Sequence, residues 1–193
     1  MDGLEIAAYM TRVESDEDHQ PELAARASRI RLFLCDVDGI LTDGTVTVGE
    51  LGETKQFSIL DGLGLKLLQH EGIKVGWISN RTSPATAKRA AELKIDFLFQ
   101  GEGGKISAAD KIVLEAGCGW DEVSYAGDDV VDLGLLKKAG LAFGVPSGIP
   151  ETWPLCHHVT TALAGKGAVR EMAQLILKSQ NKWEKLIEHF SSI

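Results

Sequence analysis

Cysteine is scarce in this 193-residue chain: Cys35, Cys118 and Cys156 are the only three, an odd number at unrelated spacings. That excludes a disulfide framework and a cysteine-based metal site, and it fits a reduced, cytoplasmic setting with the thiols as small buried side chains. Long apolar runs are missing too, as is a basic stretch followed by an apolar core near the start, so a soluble chain with no membrane association is expected. Positive charge is in the minority, 20 Lys plus Arg against 28 Asp plus Glu, for a formal net charge of −8. A surface of that sign does not hold nucleic acid non-specifically, so no nucleic-acid partner is expected and any anionic ligand must be gripped by a few local cations. His157 and His158 have no third ligand spaced for zinc and read as flanking an edge strand. Trp77, Trp120, Trp153 and Trp183 form no periodic stripe and read as core or interface anchors. Internal repeats and low-complexity tracts are absent.

What is present is an alternation. Short apolar runs at 32–35, 75–79, 96–99, 123–126 and 141–145 alternate with segments of helical period, the pattern of a parallel sheet with crossover helices. At 193 residues and 44% hydrophobic, one main α/β domain is expected at 29–178. Residues 1–28, charged around Glu14 to His19, read as a partly ordered helical leader, and 179–193 as a C-terminal helical tail. Ser83-Pro84 predicts an N-cap and first-turn proline, Gly72, Gly117 and Gly140 predict left-handed helix ends, and a last helix is expected over about 167–188. One segment breaks the rhythm: 45–48 alternates, 49–52 reads as a turn and 55–59 as a second strand, so a β-hairpin is expected to project near the first strand's end.

That first strand ends in Leu32-Phe-Leu-Cys-Asp-Val-Asp-Gly39, two carboxylates one residue apart with a glycine behind them. In an open α/β sheet ligands bind beyond the carboxyl ends of the strands, which is where Asp36 and Asp38 fall. A second acidic group, Gly127-Asp-Asp-Val-Val-Asp132, closes another apolar strand and brings Asp128, Asp129 and Asp132. Several carboxylates in one cleft repel unless protonated or metallated, and hard oxygen donors suit Mg²⁺. Isolated Asp residues after strands are more often turn or cap residues, the reading kept for Asp43 and Asp121. Ser79 ends the strand at 75–79 with a hydroxyl that can donate to phosphoryl oxygens, and Gln100-Gly-Glu-Gly-Gly-Lys105 carries a lysine in on a glycine-rich loop. A carboxylate attacking a phosphate dianion meets a repulsion of about 4 kcal/mol at 4 Å and an effective dielectric of 20, which Lys105 and Mg²⁺ together would offset.

These four segments resemble the haloacid dehalogenase (HAD) superfamily of phosphohydrolases, and the likeness covers about residues 30 to 180. It implies a Rossmann-like fold, a central parallel sheet with helices on both faces and a β-hairpin flap. It further implies Asp36 as the nucleophile that forms an aspartyl-phosphate, Asp38 as general acid and then base, and Ser79 and Lys105 as stabilisers of the phosphoryl group in transit. Mg²⁺ would be held by Asp36, the backbone carbonyl of Asp38, and Asp128, with Asp129 and Asp132 orienting water and Lys105. The gaps between Asp38 and Ser79 and between Ser79 and Lys105 leave no room for a cap domain, so selectivity is expected from neighbouring subunits.

Within the superfamily the sequence is similar to the capless 3-deoxy-D-manno-octulosonate 8-phosphate (KDO 8-phosphate) phosphatases, through Asp36-Val-Asp-Gly-Ile-Leu-Thr-Asp-Gly44, Phe57-Ser-Ile-Leu-Asp-Gly-Leu-Gly64 and Gly165-Lys-Gly-Ala-Val-Arg-Glu171. The resemblance implies a cytoplasmic homotetramer acting on a phosphorylated sugar acid in lipopolysaccharide biosynthesis, with substrate contacts at Ser58, Asp61, Gly62, Arg81 and Arg89 besides Asp38 and Lys105. A planar guanidinium at 81 suits a sugar carboxylate. The chain departs from the pattern at Leu60 and Lys66, where such enzymes commonly carry arginine. Open alternatives are a phosphatase of a nine-carbon, sialic-type 9-phosphate and a non-catalytic phosphosensor or assembly protein on the same fold. A sugar phosphomutase would need the cap that is missing.

Overall fold

The structure, a computed structural model, describes residues 19–50 and 52–192. Most of the 1–28 leader, including its charged stretch up to residue 18, lies outside the described residues. Six strands form one sheet, all pairings parallel: β1 (Leu32–Cys35), β4 (Lys74–Ser79), β5 (Phe97–Gln100), β6 (Val123–Ala126), β7 (Leu141–Gly144) and β8 (His158–Val159), in the order β5-β4-β1-β6-β7-β8. The five apolar runs are the first five of these, and His158 with Val159 forms the short edge strand β8, which His157 flanks. β1 sits centrally because its neighbours on both sides are covered: Leu32 to Cys35 are wholly buried, as a two-faced parallel strand requires.

The period-2 alternation of the strands separates two cores. Phe33, Cys35, Val75, Trp77, Leu141 and Phe143 point to one face, packed by α1 (His19–Ala27), α2 (Ile59–His70), α3 (Pro84–Leu93) and α6 (Ala168–Ser179). Leu32, Leu34, Ile78, Val123, Tyr125 and Ala142 point to the other, packed by α4 (Lys105–Ala116) and α5 (Leu133–Lys138). Helices therefore lie on both faces. α1, part of the leader, lays Leu23 and Ala27 into the first core, and α7 (Trp183–Ser191) adds Leu186 to it. Gly64 on α2 faces α6 so closely that a Cβ there would lie 3.0 Å from Arg170 Cα.

Punctuation explains most helix ends. Ser83 Oγ accepts from the Thr86 amide at 3.2 Å with Pro84 opening α3, and Gly72 and Gly117 take the left-handed conformation at φ 80° and 70°. Gly140 does not: its φ is not positive, and what demands a glycine there is packing, since a Cβ would lie 2.5 Å from the Asp121 carbonyl oxygen. The single last helix expected over 167–188 is two, α6 and α7, because Asn181 adopts φ 55° and reverses the chain between them.

The hairpin exists but is shorter and shifted: β2 (Thr47–Gly49) pairs antiparallel with β3 (Gly52–Thr54), and 55–59 is not a strand. Ser58 explains this, since its Oγ accepts from the Asp61 amide at 3.3 Å and starts α2 at Ile59. Only the hairpin, α2 and β4 lie between Asp38 and Ser79, and only α3 and β5 between Ser79 and Lys105, so no cap domain is present.

Candidate active site

β1 and β6 are neighbours in register, Cys35 opposite Ala126, so the residues that follow them leave the sheet side by side. Asp36 and Asp128 thus meet beyond the same rim, and carboxylate oxygens of Asp36, Asp128 and Asp132 lie within 4.8 Å of one another. Gly39 makes the approach possible: at φ 95° it turns the motif-one loop, and a Cβ on it would lie 2.1 Å from Asp128 Oδ2. Lys105, the first residue of α4, is buried and spans the cluster, with Nζ 2.9 Å from Asp36 Oδ1 and 2.7 Å from Asp132 Oδ1.

Asp132 is the most heavily used acceptor. Its Oδ1 takes Lys105 Nζ at 2.7 Å and the Tyr125 hydroxyl at 2.5 Å, while its Oδ2 takes the amides of Asp128 at 3.1 Å and Asp129 at 3.3 Å. With both oxygens so engaged, it holds Lys105 and the 127–129 loop in place and has little left for an ion. Asp128 Oδ1 is the opposite case, buried with no hydrogen-bond partner, an expensive state for a carboxylate unless something positive faces it.

Electrostatics agree. Burial pushes the Asp128 carboxyl up to about 7, reinforced by Asp36 and Asp132 and opposed by Lys105. Burial likewise raises Asp36 to about 6, with Lys105 pulling it back and Asp132 adding to the rise. For Lys105, burial alone would lower the pKa, but Asp36 and Asp132 together hold it above the ordinary value, so it is a cation. The oxygen donors that Asp36 and Asp128 bring together are of the kind that could hold a hard divalent ion.

Around this floor stand the other expected residues. Ser79, buried at the end of β4, receives the Arg81 amide on Oγ at 3.1 Å. The Asp38 carboxylate, 18% exposed, lies 3.9 Å from Arg81 Nε, and Arg81 Nη2 donates to Glu53 Oε2 at 2.8 Å. Asp129 is exposed and accepts from the neighbouring Val130 amide at 2.6 Å. Ser58, Asp61, Gly62 and Arg89 form a separate group along α2 and α3. Asp61 is buried with its carboxylate accepting from the amides of Gly167 at 3.2 Å and Arg170 at 2.9 Å, so it caps α6. Arg89 lies over Gly62 and pairs with Glu92 at 2.9 Å. Among the described residues no hydrogen bond or ion pair joins these four to Asp36 or Asp38. Lys66 donates to Gln69 at 3.0 Å and the Leu93 carbonyl at 3.2 Å, and exposed Leu60 lines a cavity of about 430 Å³ with Asp43, Gln56, Ser58 and Lys166.

No protein-family model matches the chain. The 3-deoxy-D-manno-octulosonate 8-phosphate phosphatase KdsC of Yersinia pestis is 37% identical over 164 residues, 84% of this chain and 88% of that protein. The chain belongs to the KDO 8-phosphate phosphatase family of the HAD superfamily. Solved structures agree with this membership. The phosphatase of that name from Moraxella catarrhalis, in complex with magnesium ion, phosphate ion and KDO, is 39% identical with a TM-score of 0.85, over 88% of this chain and 98% of that one. A structure assigned to a HAD superfamily (subfamily III A) hydrolase from Legionella pneumophila is 36% identical with a TM-score of 0.87, over 92% and 98%.

The structure brings to the site three further residues that lie outside the expected site residues. Tyr125 clamps Asp132, Glu53 pairs with Arg81, and Lys55 donates to Asp38 Oδ2 at 2.8 Å and lies 2.7 Å from Oδ1. Tyr125 lies seven residues from its acid and Lys55 seventeen, and on their own both read as strand residues.

Proposed function

We propose that the protein is a Mg²⁺-dependent phosphomonoesterase that hydrolyses KDO 8-phosphate through a phosphoryl group carried on Asp36. The observation that carries this reading is the buried Asp36–Lys105 contact at 2.9 Å beside the unpartnered Asp128 oxygen, in a chain 39% identical to a phosphatase holding magnesium, phosphate and KDO. In the first half of the reaction an Asp36 oxygen forms a bond to phosphorus while the bond to the sugar oxygen breaks, and the departing alkoxide takes a proton from Asp38. In the second half Asp38, now a carboxylate, takes a proton from water, whose oxygen attacks phosphorus and releases Asp36 and inorganic phosphate. Lys105 and Ser79 donate to the phosphoryl oxygens, where preorganised donors in a dry site are worth most. When bound at Asp36 and Asp128, Mg²⁺ supplies positive charge for the phosphoryl oxygens and for the crowded carboxylates.

Arg81, at the rim, is assigned to the sugar carboxylate, and Ser58, Gly62 and Arg89 to the rest of the sugar, while Asp61 and Asp132 serve by holding α6 and Lys105. Asp129 orients water at the mouth. The chain works as a cytoplasmic homotetramer: exposed Val48 on the hairpin and Ile59, Leu60 and Leu63 on α2 offer apolar surface beside an uncapped site, and all three cysteines are free. No helix among the described residues is long and apolar enough to cross a membrane. Boundaries at 28 and 178 remain the proposed limits of the catalytic unit.

Phosphate release with Mg²⁺ across KDO 8-phosphate, a sialic-type 9-phosphate and a hexose 6-phosphate tests the reading. The highest kcat/KM is expected for KDO 8-phosphate; preference for the hexose phosphate would overturn the substrate assignment.

A further inference from the structure

The hairpin does more than overhang the site. Just after β3 the chain carries Lys55 inward until its side chain is fully buried, 0% exposed. Burying an ammonium costs several kcal/mol unless it is well paired, and Lys55 donates to Asp38 Oδ2 at 2.8 Å and Thr86 Oγ1 at 3.3 Å, with Asp38 Oδ1 2.7 Å away in ionic contact but without a hydrogen bond. The segment is pinned on both sides. Phe57 stacks on buried Trp77 with ring centroids 6.1 Å apart and planes 8° from parallel, and Glu53 holds Arg81.

Asp38 needs such a partner. It stands on the turn after β1, not in the strand, so no ladder hydrogen bonds constrain it. Proton transfer to a leaving oxygen requires a carboxyl held within hydrogen-bond reach and aligned, and misplacement by about 1 Å costs about 10²-fold. The cation in contact with Asp36 is Lys105, not Lys55, so Lys55 acts through Asp38. We infer that Lys55 is a positioning residue, carried in by the flap, that fixes the Asp38 carboxyl in the orientation from which it protonates the sugar oxygen. This rests on the phosphatase reading above.

The test compares wild type with Lys55→Met by kcat/KM on three phosphomonoesters: KDO 8-phosphate, glucose 6-phosphate and 4-nitrophenyl phosphate. Phosphoryl transfer from the two sugars needs a proton on the leaving alkoxide, whereas 4-nitrophenolate leaves without one. The expected result is a loss of at least about 30-fold on both sugar phosphates and less than about 3-fold on the aryl phosphate. The retained aryl rate doubles as evidence that the variant is folded. Equal losses on all three would overturn the inference in favour of a structural role. Loss confined to KDO 8-phosphate would overturn it in favour of Lys55 binding the substrate carboxylate, and no loss would overturn it outright. If wild type released phosphate from none of the three, the phosphatase reading itself would fall, an outcome distinct from all the others.

Discussion

At the floor of the site buried Asp36, Asp132 and Lys105 and half-buried Asp128 hang from the ends of β1 and β6 and the start of α4, cross-braced by Tyr125 and two loop amides. At the rim Lys55, Glu53 and Arg81 come from a two-stranded hairpin and a loop, and they are held mainly by pairing with one another and with Asp38. The floor is a product of sheet topology: parallel neighbours release their C-terminal residues on the same rim, and the glycine turn at Gly39 and the amide grip of Asp132 complete the approach. The rim depends on tertiary ion pairs: those of half-exposed Arg81 touch water and are worth little by themselves, whereas Lys55 meets Asp38 with its side chain buried. On the reading proposed above, the floor handles the phosphoryl group, while the rim carries both Arg81, assigned to the sugar carboxylate, and Lys55, which holds Asp38.

Removing the divalent ion should break the floor most completely. Chelation with EDTA is expected to abolish phosphate release, and added Mg²⁺ to restore it; turnover that persists in excess chelator would leave the Asp36–Asp128 pair without its assigned role. Next in size, Lys105→Met should lower kcat by about 10²–10³-fold on every substrate, because it removes a buried donor to the transferring group. At the rim, Arg81→Ala should raise KM for a sugar-acid phosphate by about 10–100-fold and leave 4-nitrophenyl phosphate nearly unchanged, since only the former has a carboxylate to lose. An equal effect on both would erase the distinction between floor and rim.

The smallest effect concerns stability in the absence of metal. Asp128 and Asp36 have folded-state pKa values of about 7 and about 6 against an ordinary 3.8. Below pH 3.8 both carboxyls are protonated folded or unfolded, and between there and pH 7 the folded chain holds more protons. Stability conferred in this way is lost as pH rises, at up to about 1.4 kcal/mol per unit for each group. Asp43, Glu53, Glu122 and Glu171, whose pKa values are lowered, act with the opposite sign but lose their contribution only as pH falls below the ordinary carboxylate range. Urea midpoints of the metal-free protein should therefore fall from pH 5 to pH 7, and Mg²⁺ should flatten or reverse the trend. A rise without metal would mean that the two acids are not crowded.

The floor was legible in the sequence, and of the rim only Arg81 was, for a physical reason. Asp36 directly follows a wholly apolar run, and Asp128 comes one glycine after a second buried run, so both fall at strand ends of the sheet. Ser83-Pro84 was readable because a cap acts within four residues. Lys55-Gln-Phe-Ser-Ile59 alternates like a strand, yet Ser58 caps a helix and Phe57 stacks on Trp77, contacts that no local pattern encodes. Asp61 reads as a substrate contact beside the flap, and what no local pattern shows is that its carboxylate also accepts from amides more than a hundred residues away. The last helix ran on in the apolar periodicity of Met172, Ile176 and Leu186, and only the left-handed Asn181 divides it.

The most direct measurement is the turnover of Asp36→Asn, with its thermal unfolding recorded alongside. The account predicts a variant that unfolds as wild type does and releases phosphate at least about 10³-fold more slowly on sugar and aryl phosphates alike. A folded Asp36→Asn protein that still turns over at wild-type rates would contradict it.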